Sequence, residues 1–310
     1  MSKGGSMREY VYLDGKFTEK EKASIPIMTH AFLYGTAVFE GIRAYYNKED
    51  KNTYIFRPKE HFERLAKSAK ILYMDSIYSV EEHLDILKEL LRKNDYKKDT
   101  YIRPIIYKSA DRIGPHLIDN PDKYLIFSFP MDDYFENKGL KVCVSSWRRN
   151  SDNSIPPRAK INGAYVNASL ISTDARLNGF DEAIVLSQSG KVAEGAAMNL
   201  FLVIDGKLVT TETTAEMLTG VTRNTVIQLA KEVLNLEVEE RVIDRSELYS
   251  ADEAFFSGTG AQIVPITSID NRPIGDGSVG KIVSDVQKLY DDVVRGRVPK
   301  YREWCVSIND

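Results

Sequence analysis

The stretch Pro156-Pro-Arg-Ala-Lys-Ile-Asn-Gly-Ala-Tyr-Val-Asn-Ala-Ser-Leu170 sets Lys160 five residues ahead of Tyr165. Two prolines fix an extended entry, and Gly163 allows a turn before the helix-favouring run 164–175. Lys160 is thus predicted at the end of a loop held between stiff elements, a place suited to an amine that must meet a partner with fixed geometry. A single lysine reads as readily as a solvated surface charge, so the rest of the chain has to decide.

Working outward, the C-terminal side continues with Glu182–Ser187, a turn at Ser189-Gly190, the run Lys191–Ile204 and an Asp205-Gly206 hairpin. The N-terminal side carries Gly139–Trp147, with Leu140, Val142 and Val144 alternating. Repeated hairpin signals predict a largely antiparallel or mixed sheet rather than a doubly wound parallel one. At 218–234 a glycine precedes Thr222 and a helix to about Leu234, with Val226, Leu229, Ala230 and Val233 inward. Such a helix start suits a phosphate, and Thr222 as an ordinary N-cap is the plainer alternative. A strand at 236–242, a helical turn at 246–249 and a strand at 253–257 lead into Gly258-Thr-Gly-Ala-Gln-Ile263, where two glycines around Thr259 let amides point at an anion. A last helix is predicted over about 278–297, and the tail 298–310 carries no signal.

The first half opens with two short strands around Asp14-Gly15. Gly35 and Gly41 flank Phe39 and leave room for something to approach the backbone, or simply for close strand packing. After a strand at 54–56, Pro58 starts a helix with Phe62, Leu65, Ala69 and Leu72 at helical spacing and Arg64 at the flank of that stripe. A second helix follows over 80–93, with Leu84, Leu87 and Leu91 on one side. In the strand 100–107, Tyr101, Arg103, Ile105 and Tyr107 share a face, which is either an anion pocket or an exposed sheet face. A loop at 109–121, a strand at 124–130 and a polar linker at 131–138 complete this half.

Composition excludes several classes. At 310 residues, one large domain or two unequal ones are the natural division, and two domains, 1–135 and 136–310, fit the linker. With 43% hydrophobic and 28% charged residues and no long apolar run, the chain reads as a globular protein of the cytoplasm, without a membrane span or secretory signal, and residues before Met7 read as a flexible leader. Two cysteines, Cys143 and Cys305, make no disulfide framework. Four scattered histidines have no metal-ligand spacing, so no metal is expected. A net charge of −3 leaves no footprint for nucleic acid.

Seven segments, HAFLYGTAVFEGIR (30–43), HFERLAKSAKI (61–71), YIRP (101–104), AKINGAYVN (159–167), EGAAMNLF (194–201), LTGVTR (218–223) and SGTGA (257–261), occur in the order found in the branched-chain amino acid aminotransferase family, which the chain resembles over most of its length. The resemblance implies a fold-type-IV enzyme dependent on pyridoxal 5′-phosphate (PLP). Its fold would be α/β, in the α+β-like sense of mixed and antiparallel sheets, with a small N-terminal α/β domain and a larger C-terminal pseudo-barrel domain.

By the same resemblance Lys160 forms the Schiff base with PLP and shuttles a proton, and Glu194 faces the pyridine nitrogen, although a glutamate in a loop otherwise reads as solvated. Tyr165 would bond the phenolic oxygen, and Arg64, Val221, Thr222 and Thr259 would form a phosphate cup with Leu218, Gly220 and Gly258 around it. Asn199 would support the loop at Glu194. Substrate contacts would come from Tyr34, Phe39, Gly41, Arg43, Tyr101, Arg103, Met131, Tyr134 and Tyr165, with Thr259, Gly260 and Ala261. Arg103 would answer the distal carboxylate of glutamate, while aromatic walls suit leucine, isoleucine and valine. Tyr34 would reach a neighbouring subunit's site, which implies a homodimer or higher homo-oligomer. Met131 in place of a tryptophan, the loop Ser109–His116 and Gly260 in place of an alanine depart from the family's pattern and bear on side-chain selection.

The expected reaction is reversible amino transfer between L-branched-chain amino acids and 2-oxoglutarate, yielding L-glutamate. A D-amino acid transaminase, an aminodeoxychorismate lyase and a PLP-binding protein without turnover are the alternatives. Arg103 in YIR stands against the D-specific one, and retained Lys160 and Glu194 against loss of turnover.

Overall fold

The computed structural model describes residues 8–132 and 139–309, so the predicted leader and all of the predicted linker beyond Asp132 lie outside the described residues. The chain divides into two compact units, one of Met1–Asp132, Ala159–Gly163 and Val294–Asp310, the other of Asp133–Arg158 and Ala164–Val293.

The first unit is built on an eight-stranded antiparallel sheet. Its strands run in the order Cys305–Ser307, Asn52–Phe56, Ile42–Asn47, Thr100–Lys108, Asp122–Pro130, Tyr10–Leu13 and Lys16–Glu19, and Ala37–Phe39 also pairs with Thr100–Lys108. Asp14 and Gly15 both take positive φ (46° and 89°), the backbone that a two-residue hairpin needs. Among the described residues the α-helices of this unit are α1 (His30–Tyr34), α2 (Pro58–Ile71) and α3 (Val80–Asn94). Pro58 opens α2 as expected, and Phe62, Leu65 and Ala69 are buried. α3 starts with a capping box of Ser79 and Glu82. Its buried face is centred on His83, Leu87, Leu90 and Leu91, with Leu84 only half-buried. The tail, silent in sequence, forms a turn of 3₁₀ helix at Pro299–Trp304 and the strand Cys305–Ser307 on Asn52–Phe56. A cation over a ring holds it, with Arg57 4.2 Å from the Trp304 ring centroid.

The second unit carries a nine-stranded mixed sheet. Its order is Val192–Gly195, Glu182–Leu186, Leu140–Arg148, Gln262–Ile269, Glu253–Gly258, Asn199–Ile204, Lys207–Thr211 and Val238–Arg241, with Arg272–Pro273 beside Gln262–Ile269. Leu140–Arg148 is parallel to both its neighbours and Lys207–Thr211 is parallel to Val238–Arg241, while the other pairs are antiparallel. One core contains Leu140, Val142, Leu200, Leu202, Phe256 and Ile266. A second lies under α4 (Tyr165–Leu177), with Ala168, Ile171 and Ala175 against Ala183, Val185 and Ala193. α5 (Val221–Glu232) and α6 (Lys281–Val294) complete the unit. Val233, expected inward, is instead exposed: it is the C-cap of α5, and the chain turns there as Leu234 and Leu236 donate back to Leu229 and Ala230.

His83 makes the first unit sensitive to acid. Its ring stacks on Phe62 (4.7 Å, 5° between planes) and packs against Tyr78 and Tyr124, and burial pushes its pKa down to about 4. A histidine neutral in the fold takes up its proton more readily when unfolded, so its stabilising contribution is present above about pH 6.5 and is lost as pH falls towards 4. The two-and-a-half-unit gap corresponds to roughly 3 kcal/mol. His83→Phe keeps the stack and should flatten the melting temperature between pH 6.5 and 4. An unchanged pH slope in this variant would contradict the assignment.

Candidate active site

In the first unit, several of the candidate side chains lie around Phe39 and Lys160. The segment Ala159–Gly163 is laced to this unit by its backbone. Phe39 N donates to Lys160 O (3.0 Å), Lys160 N to Ser68 Oγ (3.1 Å) and Gly163 N to Gly35 O (3.1 Å), and Val38 bridges to Ile161. Gly35 has φ +68°, and a Cβ there would come within 2.8 Å of the Gly163 Cα, so position 35 needs glycine for the chains to approach, while a Cβ on Gly163 would crowd the Gly35 carbonyl at 3.3 Å. With its backbone fixed, the half-buried Lys160 places Nζ 5.0 Å from the Phe39 ring centroid.

Arg103 lies over the same ring at 4.2 Å and donates from Nη2 to the Tyr101 hydroxyl at 2.7 Å. The strand face proposed from the two-residue period therefore exists, with Arg103 and Tyr101 on one side of it. Gly41 matters here for a different reason than backbone freedom: a Cβ would overlap the Tyr101 hydroxyl and push that side chain from its place. Arg43 is buried, spans to the carbonyl of half-buried Met131 at 2.7 Å and lies over the Tyr45 ring. Tyr34 stands apart on α1, exposed, and its hydroxyl accepts from Gly114 N at 2.9 Å. Tyr134 lies outside the described residues.

Arg64, on α2, is engaged by a residue the sequence reading passes over. Its Nε and Nη2 donate to Glu40 Oε1 (2.6 Å) and Oε2 (2.8 Å), and His61 Nδ1 donates to the same Oε2 at 2.7 Å. Burial alone would raise the Glu40 carboxyl, but Arg64 and His61 outweigh it and hold the group below the usual carboxylate range. Burial lowers the His61 ring, so near neutrality it is the uncharged donor of this bond. His61, Arg64 and Ser68 share one face of α2 by their spacing, a signal the sequence does contain.

In the second unit, Glu194 sits on the strand Val192–Gly195 rather than in a loop, and only 2% of it is exposed. The pairing with Glu182–Leu186 shifts register between Val192 and Glu194, an irregularity of the kind that re-aims a side chain. Arg149 Nη2 lies 2.9 Å from its Oε1, while Oε2 takes Asn199 Nδ2 and Leu218 N, each at 3.3 Å. Asn199 Nδ2 also donates to Leu218 O at 2.8 Å, and a Cβ at Gly220 would overlap its amide oxygen. One amide thus ties Glu194 to the loop that enters α5.

That helix begins at Val221 after Gly220 as N-cap, with no side-chain cap, so Thr222 is not the cap but a buried first-turn residue. Its first turn therefore offers amide donors and the positive end of a dipole. Arg223 anchors the turn by donating to Thr211 O (2.7 Å) and Glu240 (2.8 Å). Gly258, Thr259, Gly260 and Ala261 form the half-buried turn between Glu253–Gly258 and Gln262–Ile269. Tyr165 opens α4, partly buried against its core. Neither Arg149 nor Glu40 stands out locally in sequence; each becomes visible once its ionic partner is placed.

The family described as Amino-transferase class IV matches residues 37–269. A probable branched-chain-amino-acid aminotransferase of Aquifex aeolicus is 47% identical over 311 residues, covering 100% of both chains. Among solved structures, the branched-chain aminotransferase of the archaeon Thermoproteus uzoniensis with norvaline is 39% identical with a TM-score of 0.93, over 97% of this chain and 99% of that one. The branched-chain amino acid aminotransferase of Thermobaculum terrenum in its PLP-form is likewise 39% identical with a TM-score of 0.93, over 97% of this chain and 98% of that one. The fold and these likenesses define a class IV amino-transferase. Within that class, the chain belongs to the branched-chain-amino-acid aminotransferase family.

Glu194 and Arg149 are buried ions that depend on each other. Arg149→Leu should destabilise the protein by about 3–5 kcal/mol, because it strands a buried carboxylate. Adding Glu194→Gln should recover much of that loss in urea unfolding. Additive costs in the double variant would show that the two do not couple.

Proposed function

We propose that the protein transfers an amino group reversibly between L-leucine, L-isoleucine or L-valine and 2-oxoglutarate, giving L-glutamate and the branched 2-oxo acid, with PLP as cofactor. The observation that carries this reading is end-to-end similarity to branched-chain aminotransferases, 47% identical over the full length in one case. Chemistry supports it: the chain offers an amine with a fixed backbone, a buried carboxylate with a cationic partner, and a helix start without a side-chain cap. These groups suit an aldehyde, a pyridine nitrogen and a phosphate.

When bound, PLP supplies an aldehyde carbon that takes the amino group and a ring that draws electron density from the substrate Cα. Lys160 would hold that carbon through its amine and would move a proton to and from the substrate Cα. Glu194 would hold a proton on the ring nitrogen, with Arg149 and Asn199 fixing the carboxylate. Tyr165 would donate to the phenolic oxygen. Arg64, Thr259 and the amides of Val221 and Thr222 would hold the phosphate, and Leu218, Gly220 and Gly258 would shape its surroundings. Arg103, aimed by Tyr101, binds the distal carboxylate, while Phe39 and Tyr101 face an aliphatic side chain. Gly41, Arg43, Met131, Tyr134, Gly260 and Ala261 set the remaining shape.

A homodimer or larger homo-oligomer is part of this reading. Ile27 (82%), Phe32 (72%), Ile113 (75%) and Ile118 (62%) are exposed on segments joined by the Tyr34 and His30 bonds to Gly114, and apolar side chains exposed in this way suit a subunit contact. The division near residue 135 and a cytoplasmic location belong to the same reading. Among the described residues, no helix is long and apolar enough to cross a membrane.

Mixing the PLP-loaded protein with L-leucine should bleach its visible absorption, and 2-oxoglutarate should restore it. Arg103→Leu should keep the leucine step and weaken 2-oxoglutarate by roughly 10–100-fold, the cost of a charged hydrogen bond. A response to D-alanine but not L-leucine would favour the D-specific transaminase, and pyruvate release from aminodeoxychorismate the lyase. Light scattering on the same sample should give at least twice the 35.1 kDa chain mass; a monomer would overturn the oligomer.

A further inference from the structure

Glu40 is a fully buried acid of the first unit, its side chain 0% exposed. It sits between Phe39 and Gly41, directly after the strand Ala37–Phe39. Its two oxygens take three side-chain donors: Arg64 Nε at 2.6 Å, Arg64 Nη2 at 2.8 Å and His61 Nδ1 at 2.7 Å. Its own backbone N donates to Pro104 O at 3.0 Å, so main chain and side chain are both anchored.

The two parallel bonds to Arg64 form a fork that fixes the plane of the guanidinium and its rotation about the Nε–Cζ axis. A long arginine on a half-exposed helix face would otherwise sample many rotamers, and ordering it on ligand binding would cost affinity. His61, one turn earlier on α2, holds the carboxylate from a second direction, so Glu40 cannot swing to follow a moving Arg64. Ser68, one turn further along the same face, accepts from Lys160 N. One helix face thereby sets both the arginine and the backbone of the lysine.

We propose that Glu40 is a positioning residue for phosphate recognition: it holds Arg64 ready for the 5′-phosphate of the cofactor, and His61 locks it in that role. This rests on the reading of Arg64 as a phosphate ligand. A carboxylate kept only to stabilise the fold would affect every ligand of the site alike. A carboxylate that pre-orders a phosphate ligand affects only ligands that carry the phosphate.

The test compares PLP with pyridoxal, which has the aldehyde and ring but no phosphate, binding to the full-length apoprotein by absorbance titration. Glu40→Gln should weaken PLP on the order of tenfold or more, as loss of a ligand-orienting partner does at metal sites, and leave pyridoxal within about twofold. Glu40→Asp, which keeps the charge but shortens the reach, should show the same selectivity and serves if the glutamine variant does not fold. Arg64→Gln is the control for the underlying reading. If it weakens PLP selectively and the Glu40 variants do not, the positioning role is wrong while Arg64 stands as a phosphate ligand. If Arg64→Gln shows no selectivity either, the reading of Arg64 fails and the proposal with it. Equal loss of both ligands in the Glu40 variants would leave Glu40 a structural residue and overturn the proposal.

Discussion

The backbone of residues 159–163 is hydrogen-bonded to the segment 35–39 and to α2, and the position of Lys160 depends on those few bonds. A lysine side chain has four rotatable carbons and cannot by itself hold an amine to a fixed point. Immobilising both ends of its peptide unit removes the backbone share of that freedom. Gly35 is what lets the two chains come close enough, since a Cβ on it would fall 2.8 Å from the Gly163 Cα. This short segment groups with the first unit although the residues on either side of it group with the second.

A second constraint is electrostatic. Glu40 and Glu194 are buried acids, and each is met by an arginine and by further hydrogen bonds, to His61 in one case and to Asn199 and Leu218 N in the other. Such pairs contribute little net stability, because desolvating two ions costs about as much as their attraction returns. What they provide is direction. Arg223 plays a similar part for the first turn of α5, holding it against Thr211 and Glu240.

Where periodicity and turn chemistry act locally, the sequence reads well. Pro58 and the spacing Phe62, Leu65, Ala69 define α2, and Asp14-Gly15 and Asp205-Gly206 mark hairpins whose residues take positive φ. Reading fails where a tertiary partner decides. Val233 continues the apolar stripe of α5 but falls on the C-cap and is exposed. The tail from Pro299 has no periodic pattern, since its place is set by Arg57 on Trp304 and by strand pairing to residues about 250 positions earlier. Among the candidate residues, Lys160, Glu194 and Asn199 are singled out by short motifs. Arg149 and Glu40 are not, because a buried ion pair has no spacing in the chain.

The account turns on the amine of Lys160 bonding the cofactor. Borohydride reduction of the PLP-loaded protein, followed by peptide mapping, asks this directly. The account predicts a phosphopyridoxyl mark on the peptide containing Lys160 and on no other lysine. A mark on a different lysine, or none at all in protein that has bound PLP, would contradict it.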